Sequence, residues 1–175
     1  MQHAVLVLGM HRSGTSALAR TLNLLGMATS THLLTPASDN PRGYWESARV
    51  VEIHRKLFHE LGLYEYGSFL PQRVCDTSLP AYISASGALR QLIAEEFQDQ
   101  PLWMIKDPRI CRLVPLWRQI MDEMSLRQSF ILAYRHPDEV SDSLRTRDEI
   151  IKPIAQLLWL AHVLEAELNT RGTNR

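Results

Sequence analysis

The sequence predicts an α/β fold in which a mainly parallel central sheet is flanked by helices in a three-layer arrangement. Short, continuous apolar runs recur along the 175-residue chain, and such runs are typical of strands buried on both faces of a parallel sheet. Longer segments with helical periodicity separate these runs, as in strand–helix–strand units. No repeat or linker divides the chain, so we expect a single domain over residues 1–175.

The first strand and the first helix flank a short loop bounded by glycines. Residues 4–8 form the first apolar run, and apolar residues at helical spacing predict a helix over residues 15–25, which Gly26 ends. Residues 28–46 are rich in Thr, Ser, Pro, Asn and Gly and predict a long loop. Long loops in compact domains are often functional.

The remaining elements alternate in the same way. The predicted helices cover residues 47–61, 82–97, 113–124, a segment opening at Pro137, and residues 154–168, and the predicted strands cover residues 102–105 and 129–134. Residues 63–80 are expected to be irregular, with aromatic side chains at Tyr64, Tyr66 and Phe69. The polar residues 172–175 are expected to fray.

Composition excludes several classes of partner. Lys plus Arg and Asp plus Glu number 19 each, so no overall field attracts nucleic acid or an anionic membrane. The two cysteines, Cys75 and Cys111, lack metal-ligand spacing and are expected to be reduced packing thiols. No apolar run approaches the roughly 20 residues that span a bilayer, and the run at residues 4–8 is too short for a signal peptide. We therefore expect a cytoplasmic protein.

The loop after the first strand has the chemistry of a phosphate site. Gly9 and Gly14 form a Gly-x-x-x-x-Gly frame between a strand and a helix, which lets backbone N–H groups and the helix N-terminus face an anion. Thr15 and Ser16 add hydroxyl donors, and Arg12 adds a permanent cation. A nucleoside-triphosphate P-loop has Lys after the second Gly, where this chain has Thr15. The alternative is a tight glycine turn that binds no ligand.

The residues within this frame carry a resemblance to a family. They resemble the 5′-phosphosulfate loop of the bacterial-type, P-loop-fold sulfotransferases, which use 3′-phosphoadenosine 5′-phosphosulfate (PAPS). The resemblance implies that this loop holds the 5′ end of the donor and that Arg12 lies near its bridging oxygen. The cofactor-binding residues carried over to this loop are His11, Arg12, Ser13, Gly14, Thr15 and Ser16.

A second anion site is predicted at the end of the third strand. Arg135 follows that strand, where open α/β sheets bind ligands, and Ser143 lies eight residues later on the next helix. A guanidinium can bind phosphate bidentately and a hydroxyl can donate one hydrogen bond. The pair resembles the family's 3′-phosphate signature, and the resemblance covers residues 6 to about 168. The alternative is that Arg135 pairs with a nearby carboxylate and Ser143 is only a surface residue.

Sulfuryl transfer requires a base for the acceptor and cations for the developing negative charge. Lys106 resembles the strand-terminal Lys that stabilises the transition state in this family, and Arg12 is the second cation. Many cytosolic members place a His base two residues after that Lys, where this chain has Pro108. Other branches use a Glu after the first helix, and Glu46 is the counterpart here. Asp107 and His11 are weaker base candidates.

Each of the two main catalytic candidates also has a purely structural interpretation. Lys106 could simply pair with Asp107 or Glu46, and Glu46 could be a favourable charge in the first turn of a helix. Aromatic residues such as Tyr44 and Trp45 could line an acceptor pocket, although such residues more often serve packing.

The resemblance implies a PAPS-dependent sulfotransferase that needs no metal and transfers a sulfuryl group to an unidentified hydroxyl or amine acceptor, which could be a carbohydrate, a lipid or a small molecule. Family members usually continue past the last predicted helix with a strand and a Gly-rich basic loop, and we expect this chain to lack that segment. One alternative is a P-loop nucleotide or small-molecule kinase, which predicts Mg²⁺ dependence and a preference for ATP. The other is a non-catalytic nucleotide-binding protein.

Overall fold

The structure, a computed structural model, describes residues 1–67 and 76–175. Within these residues, one or more helices follow each strand of a parallel sheet, which confirms the predicted α/β class. The strands are β1 (His3–Leu8), β2 (Leu102–Lys106) and β3 (Arg127–Leu132). The helices are α1 (Thr15–Leu24), α2 (Ala48–Glu60), α3 (Pro80–Phe97), α4 (Ile110–Glu123), α5 (Pro137–Asp148) and α6 (Lys152–Thr170).

The three strands form one parallel sheet in the order β2-β1-β3. His3 is in register with Leu102 on one side and with Arg127 on the other. The first strand of the chain is therefore the central strand of the sheet. Because all three strands run the same way, their carboxyl ends meet at one edge, and the loops that follow them are neighbours.

Helices pack against both faces of β1. Successive side chains of a strand point to opposite faces, and the buried residues of β1 divide accordingly between two apolar clusters. Leu6 belongs to a cluster with residues of α2, α3 and α4, whereas Val7 belongs to one with Ala19 and Leu22 of α1. A third cluster joins α5 and α6 beside Met10. The site loop is thus held by packing on both sides of the strand that precedes it.

Several element ends differ from the sequence-based predictions. Helix α2 begins at Ala48 because the backbone N–H of Val50 donates to Ser47 Oγ, which makes Ser47 the N-cap. Helix α4 begins at Ile110, three residues early, because the backbone N–H of Ile110 donates to the carbonyl of Asp107 and closes the turn after β2.

The last residues of the chain do not fray as expected. The backbone N–H of Phe130 in β3 donates to the carbonyl of Asn174 over 2.9 Å, so the tail lies against the outer edge of β3. The predictions for Phe69 and Cys75 fall outside the described residues. No helix among residues 1–67 and 76–175 is long and apolar enough to cross a bilayer.

Candidate active site

The loop between β1 and α1 needs glycine at both ends of its frame, for different reasons. A Cβ on Gly9 would lie 2.7 Å from Thr15 Cγ2 and 2.9 Å from the carbonyl oxygen of Ala133. Gly14 has φ +80°, a left-handed conformation that side chains disfavour, and has open space around it. Close packing therefore requires the first glycine, and backbone conformation favours the second.

This loop offers donors to an anion. The first-turn N–H groups of α1 have no intrahelical acceptor, and the helix dipole makes this end positive. The side chain of Ser13 is buried, and its Oγ has no hydrogen-bond partner among the described residues. Buried hydroxyls are rarely left unpaired. The loop chemistry therefore fits a phosphate or sulfate group.

A cavity of about 250 Å³ lies over the loop. The residues that line it come from the segments at the carboxyl ends of all three strands and from the long loop after α1. Eight of the ten predicted site residues line it: His11, Arg12, Gly14, Thr15, Ser16, Glu46, Lys106 and Arg135. The other two, Ser13 and Ser143, are not among the described lining residues. The fold therefore brings the loop after β1 together with the ends of β2 and β3, as the predicted topology requires.

Lys106 and Glu46 form a buried ion pair on this cavity. Lys106 Nζ contacts Glu46 Oε1, and it also donates to the carbonyl of Tyr44 over 3.2 Å and to Ser16 Oγ over 3.4 Å. The two side chains are only 4% and 7% exposed. Burial raises the pKa of Glu46, although the charge of Lys106 opposes the rise. The alternative that Lys106 pairs with Glu46 is therefore correct, and the pair lies at the predicted catalytic position.

Arg12 connects the loop between β1 and α1 to α5. Its Nε donates to Ser143 Oγ over 2.8 Å, and its backbone carbonyl accepts from Arg135 Nη1 over 2.9 Å. Arg135 Nε lies 2.7 Å from Glu139 Oε2, so Arg135 does pair with a nearby carboxylate. Its side chain nevertheless remains 42% exposed and lines the cavity. The two residues of the second predicted anion site thus meet through Arg12 rather than directly.

Sequence reasoning missed three polar residues of this site. Asp39 Oδ2 lies 3.7 Å from both Arg12 Nη1 and Arg147 Nη1, and Asn40 Nδ2 donates to Ser16 Oγ over 3.3 Å. Arg147 lies four residues after Ser143, so the two share a face of α5, and this spacing was the available signal. For Asp39 and Asn40 the only signal was their position in the long loop.

The weaker base candidates have different environments. Burial, together with the charge of Arg109, holds the pKa of His11 well below its usual value, so His11 is neutral near pH 7. Burial alone would raise the pKa of Asp107, but the charge of Arg109 and a hydrogen bond from His54 lower it. Trp117 Nε1 donates to the other ring nitrogen of His54 over 3.1 Å, which leaves the His54 proton on the atom that faces Asp107. Asp107 is therefore a structural anion.

The geometry combines a glycine-bounded loop at a helix N-terminus, four cationic side chains and a buried carboxylate of raised pKa around one cavity. Such a set can hold a phosphorylated donor, accept a proton from a nucleophile and stabilise negative charge. Comparison of the chain with protein-family models, with curated proteins and with solved structures gave no match. The interpretation of the site therefore depends on its own residues and geometry.

Proposed function

We propose that this chain is a PAPS-dependent sulfotransferase with a three-layer P-loop fold. The observation that carries the proposal is the convergence of the phosphate loop, Lys106 and Glu46 on one cavity. The acceptor would be a hydroxyl or an amine. The resemblance of the loop and of the Arg135–Ser143 spacing to the family's signatures adds to this geometry.

The donor's two anionic ends have matching residues. The hydroxyls of Thr15 and Ser16 and the N-terminus of α1 would hold the 5′-phosphosulfate end. Arg135, exposed on the cavity, would bind the 3′-phosphate. Ser143 would act indirectly, by holding Arg12 at the 5′ end of the donor.

The donor supplies a sulfuryl group, whose bond to the 5′-phosphate breaks as an acceptor oxygen or nitrogen bonds to sulfur. Glu46 would accept the proton of the attacking group, and its raised pKa makes it a stronger base than an exposed carboxylate. Lys106 and Arg12 would stabilise charge on the sulfuryl and leaving phosphate oxygens. Neither task requires a metal ion from the protein.

Two features favour this function over a P-loop kinase. The position after the second loop glycine is Thr15 rather than the Lys of nucleoside-triphosphate loops. The site's lysine instead comes from the end of β2 and reaches the loop at Ser16. A non-catalytic nucleotide-binding protein would not need a buried carboxylate beside that lysine, where its desolvation is costly.

Calorimetry with adenosine 3′,5′-bisphosphate tests the proposal, with ATP as competitor and with or without Mg²⁺. We expect metal-independent binding that prefers the bisphosphate and weakens about tenfold in Arg135→Ala, the loss of a charged hydrogen bond. Arg145→Ala is the matched control, because Arg145 lies ten residues further on, in α5, is exposed and is not among the described residues that line the cavity. Preference for ATP with Mg²⁺ would favour a kinase, and binding of neither ligand would reject the site.

A further inference from the structure

A second cavity, of about 630 Å³, adjoins the first. The two cavities share five lining residues: His11, Asp39, Tyr44, Glu46 and Arg147. Its other walls come from α2 and the turn that follows it, from the start of α4 and from the end of α5. Because Glu46 lines both cavities, a molecule in the second one can reach the carboxylate that faces the donor site.

Most side chains that line this second cavity carry a polar or charged group. Of its twelve described lining residues, only Leu34 has an apolar side chain. An apolar ligand would strip water from charged groups such as Arg55 and Glu65 and offer no hydrogen bonds in return. This lining therefore disfavours a sterol, an acyl chain or a simple phenol.

The charges in the lining are nearly balanced, with one more carboxylate than arginine, and most of them are paired. Arg55 Nη2 lies 2.9 Å from Glu65 Oε1, and Arg147 Nη2 lies 2.7 Å from Asp148 Oδ2. Arg109 contacts both Glu65 and Asp107. Three arginines face four carboxylates in the wall, since Asp39 and Glu46 also line it. A wall without excess positive charge gives an anionic ligand no preference over a neutral one.

Paired carboxylates still have free lone pairs, and they can accept hydrogen bonds from hydroxyl groups. Tyr66 and Ser38 add further hydroxyls to the wall. The volume of the cavity lies within the roughly 300–1,000 Å³ of small-molecule sites. A neutral molecule with many hydroxyl groups matches this wall in both charge and hydrogen bonding.

We infer that the second cavity is the acceptor site and that the acceptor is a neutral carbohydrate. The assignment rests on the proposed function, because it takes the hydroxyl that reaches Glu46 as the group that receives the sulfuryl. The proton of that hydroxyl passes to Glu46 as its oxygen bonds to sulfur, and the bond from sulfur to the donor's phosphate breaks.

Carbohydrate binding can be tested without any donor. Saturation-transfer NMR would compare neutral trisaccharides of glucose, galactose, mannose and N-acetylglucosamine, their methyl monoglycosides, trigalacturonate and p-nitrophenol. We expect at least one neutral saccharide to bind more tightly than the uronate and the phenol. Monoglycoside binding would indicate a free sugar, and binding of the trisaccharide alone would indicate a longer glycan. The inference is overturned if no neutral saccharide binds, or if the uronate or the phenol binds at least as tightly.

A matched pair of variants locates the binding. Arg55→Ala removes an exposed cavity residue and should weaken the best saccharide about fivefold, as expected for the loss of a charged hydrogen bond. Lys56→Ala changes the neighbouring residue, which pairs with Glu60 away from this cavity, and should leave binding unchanged. Equal effects of the two variants would contradict the location.

Calorimetry with adenosine 3′,5′-bisphosphate shows whether a negative result contradicts this inference or the proposed function. If the bisphosphate binds but no neutral saccharide does, the sulfotransferase proposal stands and the acceptor class is wrong. If a saccharide binds but the bisphosphate does not, the cavity is a carbohydrate site and the donor assignment is wrong.

Discussion

Arg12 Nε donates a hydrogen bond of 2.8 Å to Ser143 Oγ, and this contact joins the loop between β1 and α1 to helix α5. The two residues are 131 positions apart in the chain. Arg12 has φ +66°, a conformation that is uncommon for residues with side chains. The hydrogen bond therefore helps to hold the guanidinium of a strained loop residue in place.

Ser143→Ala should weaken binding of adenosine 3′,5′-bisphosphate about three- to tenfold, because Arg12 Nε loses its acceptor and the guanidinium is then held only from the side of Asp39. Calorimetry measures the change. Thr146→Ala is the control, since Thr146 is exposed on the same helix and its hydroxyl bonds only to the helix backbone at Asp142. A double-mutant cycle with Arg12→Ala shows whether Ser143 affects binding through Arg12. If the effects of the two substitutions add fully, Ser143 acts independently of Arg12 and this account is wrong.

Glu46→Gln should lower kcat about 10²- to 10⁴-fold, the usual contribution of a general base, while bisphosphate binding changes little. The amide keeps the shape of the side chain but cannot accept the proton. In the wild type, kcat should fall with decreasing pH at a value above that of an exposed glutamate, because burial raises the pKa of Glu46. Glu52→Gln, an exposed change in α2, is the control. An unchanged kcat in Glu46→Gln would remove Glu46 from the mechanism.

Lys106→Met should destabilise the fold by about 3–5 kcal/mol at pH 8, because it leaves the Glu46 carboxylate buried without its partner. The loss should be smaller at pH 5, where Glu46, with its raised pKa, is more readily protonated and neutral. Adding Glu46→Gln should restore most of the stability by removing the unpaired charge. Urea unfolding of the wild type and the two variants at both pH values measures this, and a loss independent of pH would show that charge burial is not its cause.

Gly9→Ala should destabilise the protein by about 1–3 kcal/mol, because the added methyl group meets Thr15 Cγ2 and the Ala133 carbonyl in a packed region. Gly87→Ala makes the same change within α3, where nothing lies within 4 Å of the added atom. It should raise stability by about 0.5–1 kcal/mol, since alanine favours the helix. Thermal or urea unfolding of both variants tests the pair, and similar effects at the two sites would contradict the packing argument.

His162→Leu should reduce the decrease in folding stability that occurs as the pH falls. Burial, followed by the charge of Arg112, lowers the pKa of His162 to about 3, against about 6.5 in an unfolded chain. Between these values the unfolded state binds more protons, so wild-type stability falls as pH drops, by up to about 1.4 kcal/mol per unit. The variant lacks this component, and its advantage over the wild type should grow from pH 7 to pH 4. Exposed His59→Leu is the control, and parallel curves for His162→Leu and the wild type would exclude this role.

The central strand could be predicted from sequence because its signal is local. Residues 4–8 are uniformly apolar, and all five are buried in β1. The start of β3 was missed because Arg127 and Gln128 are polar and lie at its more exposed end, paired with β1 only through backbone hydrogen bonds. Local composition does not report that kind of pairing.

The site was predictable where its residues follow strands. Lys106 ends β2, and Arg12 and Arg135 follow β1 and β3, so parallel pairing alone predicts that they are neighbours. The positions of Asp39 and Arg147 could not be predicted in this way. Their contact depends on the path of the long loop and on the packing of α5, which are settled by tertiary contacts rather than by a sequence pattern.

The strand order β2-β1-β3 also has a consequence for biosynthesis. Strand β1 is made before its neighbours, yet both of its hydrogen-bonding partners lie about a hundred residues later in the chain. At about 5–20 residues per second, the ribosome needs on the order of 5–25 s to make them. During that time this apolar segment has no sheet to join. Chaperone protection of the nascent chain would therefore matter most between the synthesis of residue 8 and that of residue 132.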